Sequence, residues 1–156
     1  MDAIMYSWYF PKSTGGKKSH KHEWQTAVVW LTVEGDGNQL TNYKIAKVSV
    51  STPSGYVAST ANLRPDHQVV QYQQSGLSLI GPDTPESKSL PVLSDSANTF
   101  YSPLVAWEAF TKKAKQALND KQVLGGYSAP FSDAPAKDAS KTQFQDHLKA
   151  AWEAKA

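Results

Sequence analysis

The sequence predicts an α+β fold, mainly an antiparallel β-sandwich with helices packed at one side. Three observations predict it. Runs of β-formers with period-two alternation fill the first half, most clearly at residues 3–10 and 26–34. Helical periodicity is confined to the last third. Strands and helices do not alternate, so a parallel sheet is not expected. The chain has 156 residues, 40% hydrophobic and 11% aromatic, which suits one folded domain over residues 1–156.

Residues 3–10 put Ile4, Tyr6, Trp8 and Phe10 on one side of a pleat. Large side chains occupy the other side too, which predicts a central strand. Pro11 is expected to end it, having no N–H for a ladder. The loop that follows carries Gly15-Gly16 and Lys17-Lys18 and ends in the polar cluster His20-Lys21-His22-Glu23-Trp24-Gln25. A second strand is expected over 26–34, then a turn at Gly35-Asp36-Gly37-Asn38. Residues 43–50 read as a third strand whose alternation slips between Ile45 and Ala46, as a bulge would make it. Pro53-Ser54-Gly55 turns the chain into a short strand at 56–59. Residues 69–72 and 77–80 read as two more. Residues 62–67, 81–88 and 94–99 read as polar loops, and Pro91 leaves 90–93 ambiguous.

A helix is expected from Ser102 and Pro103 to Asn119-Asp120, with Leu104, Trp107, Phe110, Ala114, Ala117 and Leu118 as its apolar stripe. Ser140 and Gln143 suggest a capping box for a last helix carrying Phe144, Leu148, Ala151 and Trp152. The tryptophans at 8, 30, 107 and 152 are expected in the core.

The net charge of +2 argues against a nucleic-acid partner. Cysteine is absent, so neither a disulfide nor a thiolate ligand is available. No run of 18 apolar residues predicts a membrane helix. No basic start leads into an apolar stretch, so no signal peptide is expected in this chain; its abrupt entry into a strand suggests missing upstream sequence.

The chemistry concentrates in His20-x-His22-Glu23-x-Gln25. In an extended segment His20 and His22 share one face, and Glu23 and Gln25 the other. Imidazole with oxygen ligands suits a divalent ion, although one carboxylate is a thin set for Mg²⁺ or Ca²⁺. A solvated polar loop is the alternative. Lys17, Lys18 and Lys21 read either as an anion-facing patch or as plain solvated charge, and Asp66-His67 as a surface pair. A metal-dependent hydrolase with His20 or His22 as base would lack a triad or a full ligand set.

The segment AIMYSWYFPK, with SHKHEWQ after it, resembles the necrosis- and ethylene-inducing-peptide-like proteins, secreted cytolysins of fungi, oomycetes and some bacteria. The resemblance continues in Pro103-Leu104-Val105-Ala106-Trp107, Ala117-Leu118-Asn119 and Ala129-Pro130-Phe131. It implies a β-sandwich similar to actinoporins and fungal lectins, flanked by helices, monomeric and without enzymatic activity. The implied partners are sphingolipid head groups of the plant plasma membrane, the glycosyl inositol phosphorylceramides. A plant pattern-recognition receptor is a second one, sensing the strand Ala3, Ile4, Met5, Tyr6, Ser7, Trp8, Tyr9, Phe10, Pro11, Lys12.

The implied cofactor is a divalent cation, Ca²⁺ or Mg²⁺, at the heptapeptide loop. Its ligand positions fall here on Ser13, His20, Glu23 and Gln25; Ser19, Lys21, His22 and Trp24 complete the loop. The family has acids where this chain has Ser13 and Gln25, and Gly and Arg where it has Ser19 and Lys21. Two lost negative charges remove much of the attraction for a hard ion, so metal binding and cytolysis are expected to be weak or absent. A non-lytic lectin-like or immune-pattern module is the neighbouring alternative.

Overall fold

The computed structural model describes residues 1–12, 21–35, 39, 42–61, 63, 69–73, 76–80, 103–120, 122–124 and 129–155. Four strands form an antiparallel meander: β1 (Asp2–Lys12), β2 (Lys21–Val33), β3 (Tyr43–Thr52) and β4 (Gly55–Ser59), in that spatial order. β5 (Val69–Gln73) and β6 (Gly76–Ile80) pair as a second antiparallel sheet, and β6 lies against β3 and β2. Among the described residues the helices are α1 (Lys112–Asn119), preceded by a short 3-10 turn at Trp107–Ala109, and α2 (Gln143–Glu153). The architecture is the expected antiparallel β-fold with flanking helices.

The alternation of β2 builds a core on each face of the main sheet. Val28 and Trp30 join Ala151 of α2, with Ala3, Met5, Tyr56 and Leu148 around them. Ala27, Val48 and Val50 form the other core, with Trp8, Val29, Ile45, Leu63 and Val70. Val28 and Val48 are fully buried, each worth about 1.5–3 kcal/mol in removal of apolar surface from water. The bulge expected near Ala46 is present: Trp30 pairs with Lys47 but Leu31 with Ile45, leaving Ala46 as the extra residue. The turn at Pro53-Ser54 brings Thr52 opposite Gly55, which adopts φ +131°.

Several elements depart from the expectation. β1 is an edge strand of the four-stranded sheet, not a central one. It also runs through Pro11 to Lys12. Pairing passes from Phe10↔Glu23 to Lys12↔Lys21, skipping Pro11; an edge strand tolerates proline where the N–H side would face away from the ladder. Residues 21–25, expected in the loop, are the first half of β2, because their partners on β1 continue that far.

The first helix starts nine residues late, at Lys112 instead of Pro103. Residues 103–106 form no helix and are exposed. Trp107 packs edge-on against Phe131, and Thr111 then caps α1 by accepting from the Ala114 N–H. In the last helix Ser140 is diverted: its backbone N–H and hydroxyl both donate to Asp138. The capping box forms two residues on, between Thr142 and Gln145. Trp152 is 49% exposed, though its ring meets Trp30 edge-on at 5.0 Å.

Residues of the main sheet satisfy the end of α2. Ser49 Oγ donates to the Ala151 carbonyl at 2.7 Å. Lys47 Nζ reaches the Trp152 and Ala154 carbonyls, and the Ala58 N–H donates to the Lys155 carbonyl. These groups take up carbonyls that a helix end leaves open, and Lys47 puts a cation at the negative end of the dipole. The loops expected at 81–88 and 94–99, the ambiguous 90–93, Asp66-His67 and most of 62–67 lie outside the described residues.

Candidate functional site

Residues 21–25 of the polar cluster lie at the start of β2, beside the end of β1. Alternation divides it between two faces. Trp24 lies opposite Tyr9 in the pairing, and their rings meet at 5.0 Å. The Tyr9 hydroxyl bonds Nδ1 of His22, and the two rings stack at 6.0 Å. His22 has φ +62°, the left-handed region that residues with a Cβ rarely adopt.

From Trp24 the row of rings continues edge-on to Phe131 at 5.2 Å and to Trp107 at 5.5 Å. Trp107 also meets Phe110 at 5.9 Å, and Lys115 Nζ lies 5.4 Å from its ring centroid. Trp24 Nε1 is buried and has no acceptor among the described residues. The row therefore runs from the exposed Tyr9 and the half-buried His22 to Phe131 and Trp107.

Glu23 and Gln25 face the other way, as the extended reading expected. Both are buried, at 4% and 3% exposure. The Thr26 N–H donates to Ser51 Oγ at 2.8 Å, and Ser51 Oγ donates to Gln25 Oε1 at 2.7 Å. Gln25 Nε2 then donates to Glu23 Oε1. Lys12 and Lys21 stand directly opposite each other at the end of the ladder, a like-charge pairing that opposes it.

Ser13, Ser19 and His20 lie outside the described residues. Among the described residues no three of His, Asp and Glu gather as a metal-holding group. Gln25 thus turns its NH₂, not its oxygen, towards Glu23. Phe131, Trp107 and Ser51 are the site neighbours that local sequence reading missed. Ser51 is 26 residues from Gln25 and nothing nearby in the chain marks it.

A second titratable pair ties α2 to the sheet. Tyr56 Oη and His147 Nδ1 are 2.9 Å apart. Burial pushes the Tyr56 hydroxyl up to about 12, so it stays protonated. Burial also lowers His147 from its ordinary range, against a smaller opposing effect of Asp146.

The family described as Necrosis inducing protein (NPP1) matches residues 1–151. This chain belongs to that family. Among its relatives, NLP effector protein 3 of Phytophthora capsici is 33% identical over 144 residues, covering 88% of this chain and 54% of that protein. NLP effector protein 6 of Plasmopara viticola is 29% identical over 168 residues, covering 99% and 56%. The chain thus spans little more than half the length of these two curated relatives.

Solved structures of the family share the fold. NLPPya in complex with glucosamine is 28% identical with a TM-score of 0.61, covering 96% of this chain and 60% of that one. The non-toxic HaNLP3 protein, 24% identical, reaches a TM-score of 0.64 over 96% and 61%. The two curated relatives are named as effector proteins, and this chain shares their family.

Proposed function

We propose that this necrosis-inducing family member acts as a secreted, non-enzymatic effector that binds glycosylated sphingolipid head groups of the plant plasma membrane with little or no lysis. The observation that carries the reading is the ring row ending at Tyr9–His22, where an exposed phenol and a half-buried imidazole cap a supported aromatic platform. Aromatic faces pack on the C–H faces of sugars, and the adjoining hydroxyl and imidazole supply polar contacts that orient them. The relative NLPPya, solved with glucosamine and with mannosamine, supports amino-sugar chemistry for such a ligand. Weak lysis follows from the neutral Ser13 and Gln25, which lower the charge available to a divalent ion.

The test is co-sedimentation with vesicles containing glycosyl inositol phosphorylceramide, run beside release of an entrapped dye. The expected result is sugar-dependent binding, weakened by Tyr9→Ala, with no dye release. Robust release, or necrosis of dicot leaf tissue by the unmodified chain, would overturn the non-lytic reading.

The immune reading rests on β1. An edge strand offers an extended segment to a receptor that reads backbone and alternate side chains. A synthetic peptide of residues 3–22 is expected to trigger ethylene release without necrosis. A silent peptide would sink that part of the reading.

A further inference from the structure

We propose that the side-chain amide of Gln25 takes the place of a cation beside Glu23, so that the head of β2 is set without a divalent ion. The inference rests on the weakened metal site proposed above and goes further, naming the group that replaces the ion.

Hydrogen-bond direction carries the argument. The Thr26 backbone N–H can only donate, so Ser51 Oγ accepts from it. The Ser51 hydroxyl proton is then directed to Gln25 Oε1. With its oxygen engaged, the amide has only its NH₂ for Glu23, whose carboxylate oxygen accepts. A backbone donor at one end and a carboxylate at the other give the chain Thr26–Ser51–Gln25–Glu23 one polarity, which also assigns the amide oxygen and nitrogen.

A divalent ion shared by Glu23 and Gln25 would need the amide oxygen on the Glu23 side. The amide would have to turn over, lose the Ser51 hydroxyl bond and present hydrogens to it. Both side chains are buried, so water cannot readily replace what is lost. Glutamate at position 25 has no hydrogens to offer. It would set a second carboxylate against Glu23, an arrangement that a cation relieves.

Thermal melts of the full chain with EDTA, Ca²⁺ or Mg²⁺ test this. The unmodified protein is expected to melt at the same temperature in all three. Gln25→Glu should melt several degrees lower in EDTA and recover in either metal. Gln25→Met, similar in size but without hydrogen bonds, should melt lower and recover in neither. If Gln25→Glu does not fold, Gln25→Met and slowed exchange of the Gln25 NH₂ protons in NMR spectra decide.

A metal-dependent melt of the unmodified protein would overturn both this proposal and the weakened-site reading. A metal-insensitive unmodified protein with Gln25→Met neutral and the NH₂ protons exchanging freely would overturn the proposal alone.

Discussion

His22 holds φ +62° opposite the stretch of β1 where Pro11 is skipped in the pairing. A side chain in the left-handed region costs about 1–2 kcal/mol, and such strain concentrates where a side chain must be aimed. Here the aim is the Tyr9 hydroxyl. His22→Ala should therefore lose the bond and keep the strain, whereas His22→Gly loses the bond and relieves the strain. In thermal melts the glycine variant is expected to be more stable than the alanine variant by about 1 kcal/mol. Both should lose sugar-dependent vesicle binding. Equal melts for the two would mean that the backbone at 22 is not strained. Nothing in His-x-His-Glu announces this conformation, because it depends on how β1 and β2 end together.

Capping separates two hydroxyl residues that look alike in sequence. Thr142 accepts from the Gln145 N–H, and the Gln145 side chain accepts from the Thr142 N–H. Ser140 serves Asp138 instead, and its bonds are the leading cause that draws that exposed carboxyl down to about 2. Thr142→Ala is expected to cost about 0.5–2 kcal/mol. Ser140→Ala should cost under about 0.5 kcal/mol, as an exposed change outside the cap. Urea unfolding of the two variants checks the order, and a larger loss at Ser140 would refute the assignment. The helix and its apolar stripe were legible from period and capping residues. The choice of cap was not, since it turns on Asp138 engaging Ser140 and on the Pro135–Thr142 bridge.

The two layers of the molecule meet in polar contacts as well as in apolar cores, and one of these titrates. His147 on α2 faces Tyr56 on β4, with Asp146 beside it on its own helix. Its folded pKa lies below the ordinary 6.5, so the folded state favours the neutral ring. The contribution is present above 6.5 and is lost as pH falls through that value towards the folded pKa. The melting temperature should therefore fall as pH is lowered below 6.5, and His147→Gln should reduce the fall by holding an uncharged side chain at the same place. An identical pH profile for the variant would show that His147 stays neutral or contributes nothing.

Alternation, turn signals and helical period were enough to predict strands at β1 to β6, the bulge at Ala46 and a helical last third, because these depend on neighbours in the chain. The near-identity of residues 3–12 to the family pattern was likewise complete in the sequence. Pairing decided the rest. It made β1 an edge strand, carried the strand through Pro11, and drew residues 21–25 into β2. It also buried Glu23 and Gln25 on the face that alternation had assigned them. Ser51, Phe131 and Trp107 reach the site across 26 residues or more of chain. A side chain's partner depends on which backbone the fold sets opposite it, and that is a property of the packed sheet rather than of the neighbouring residues.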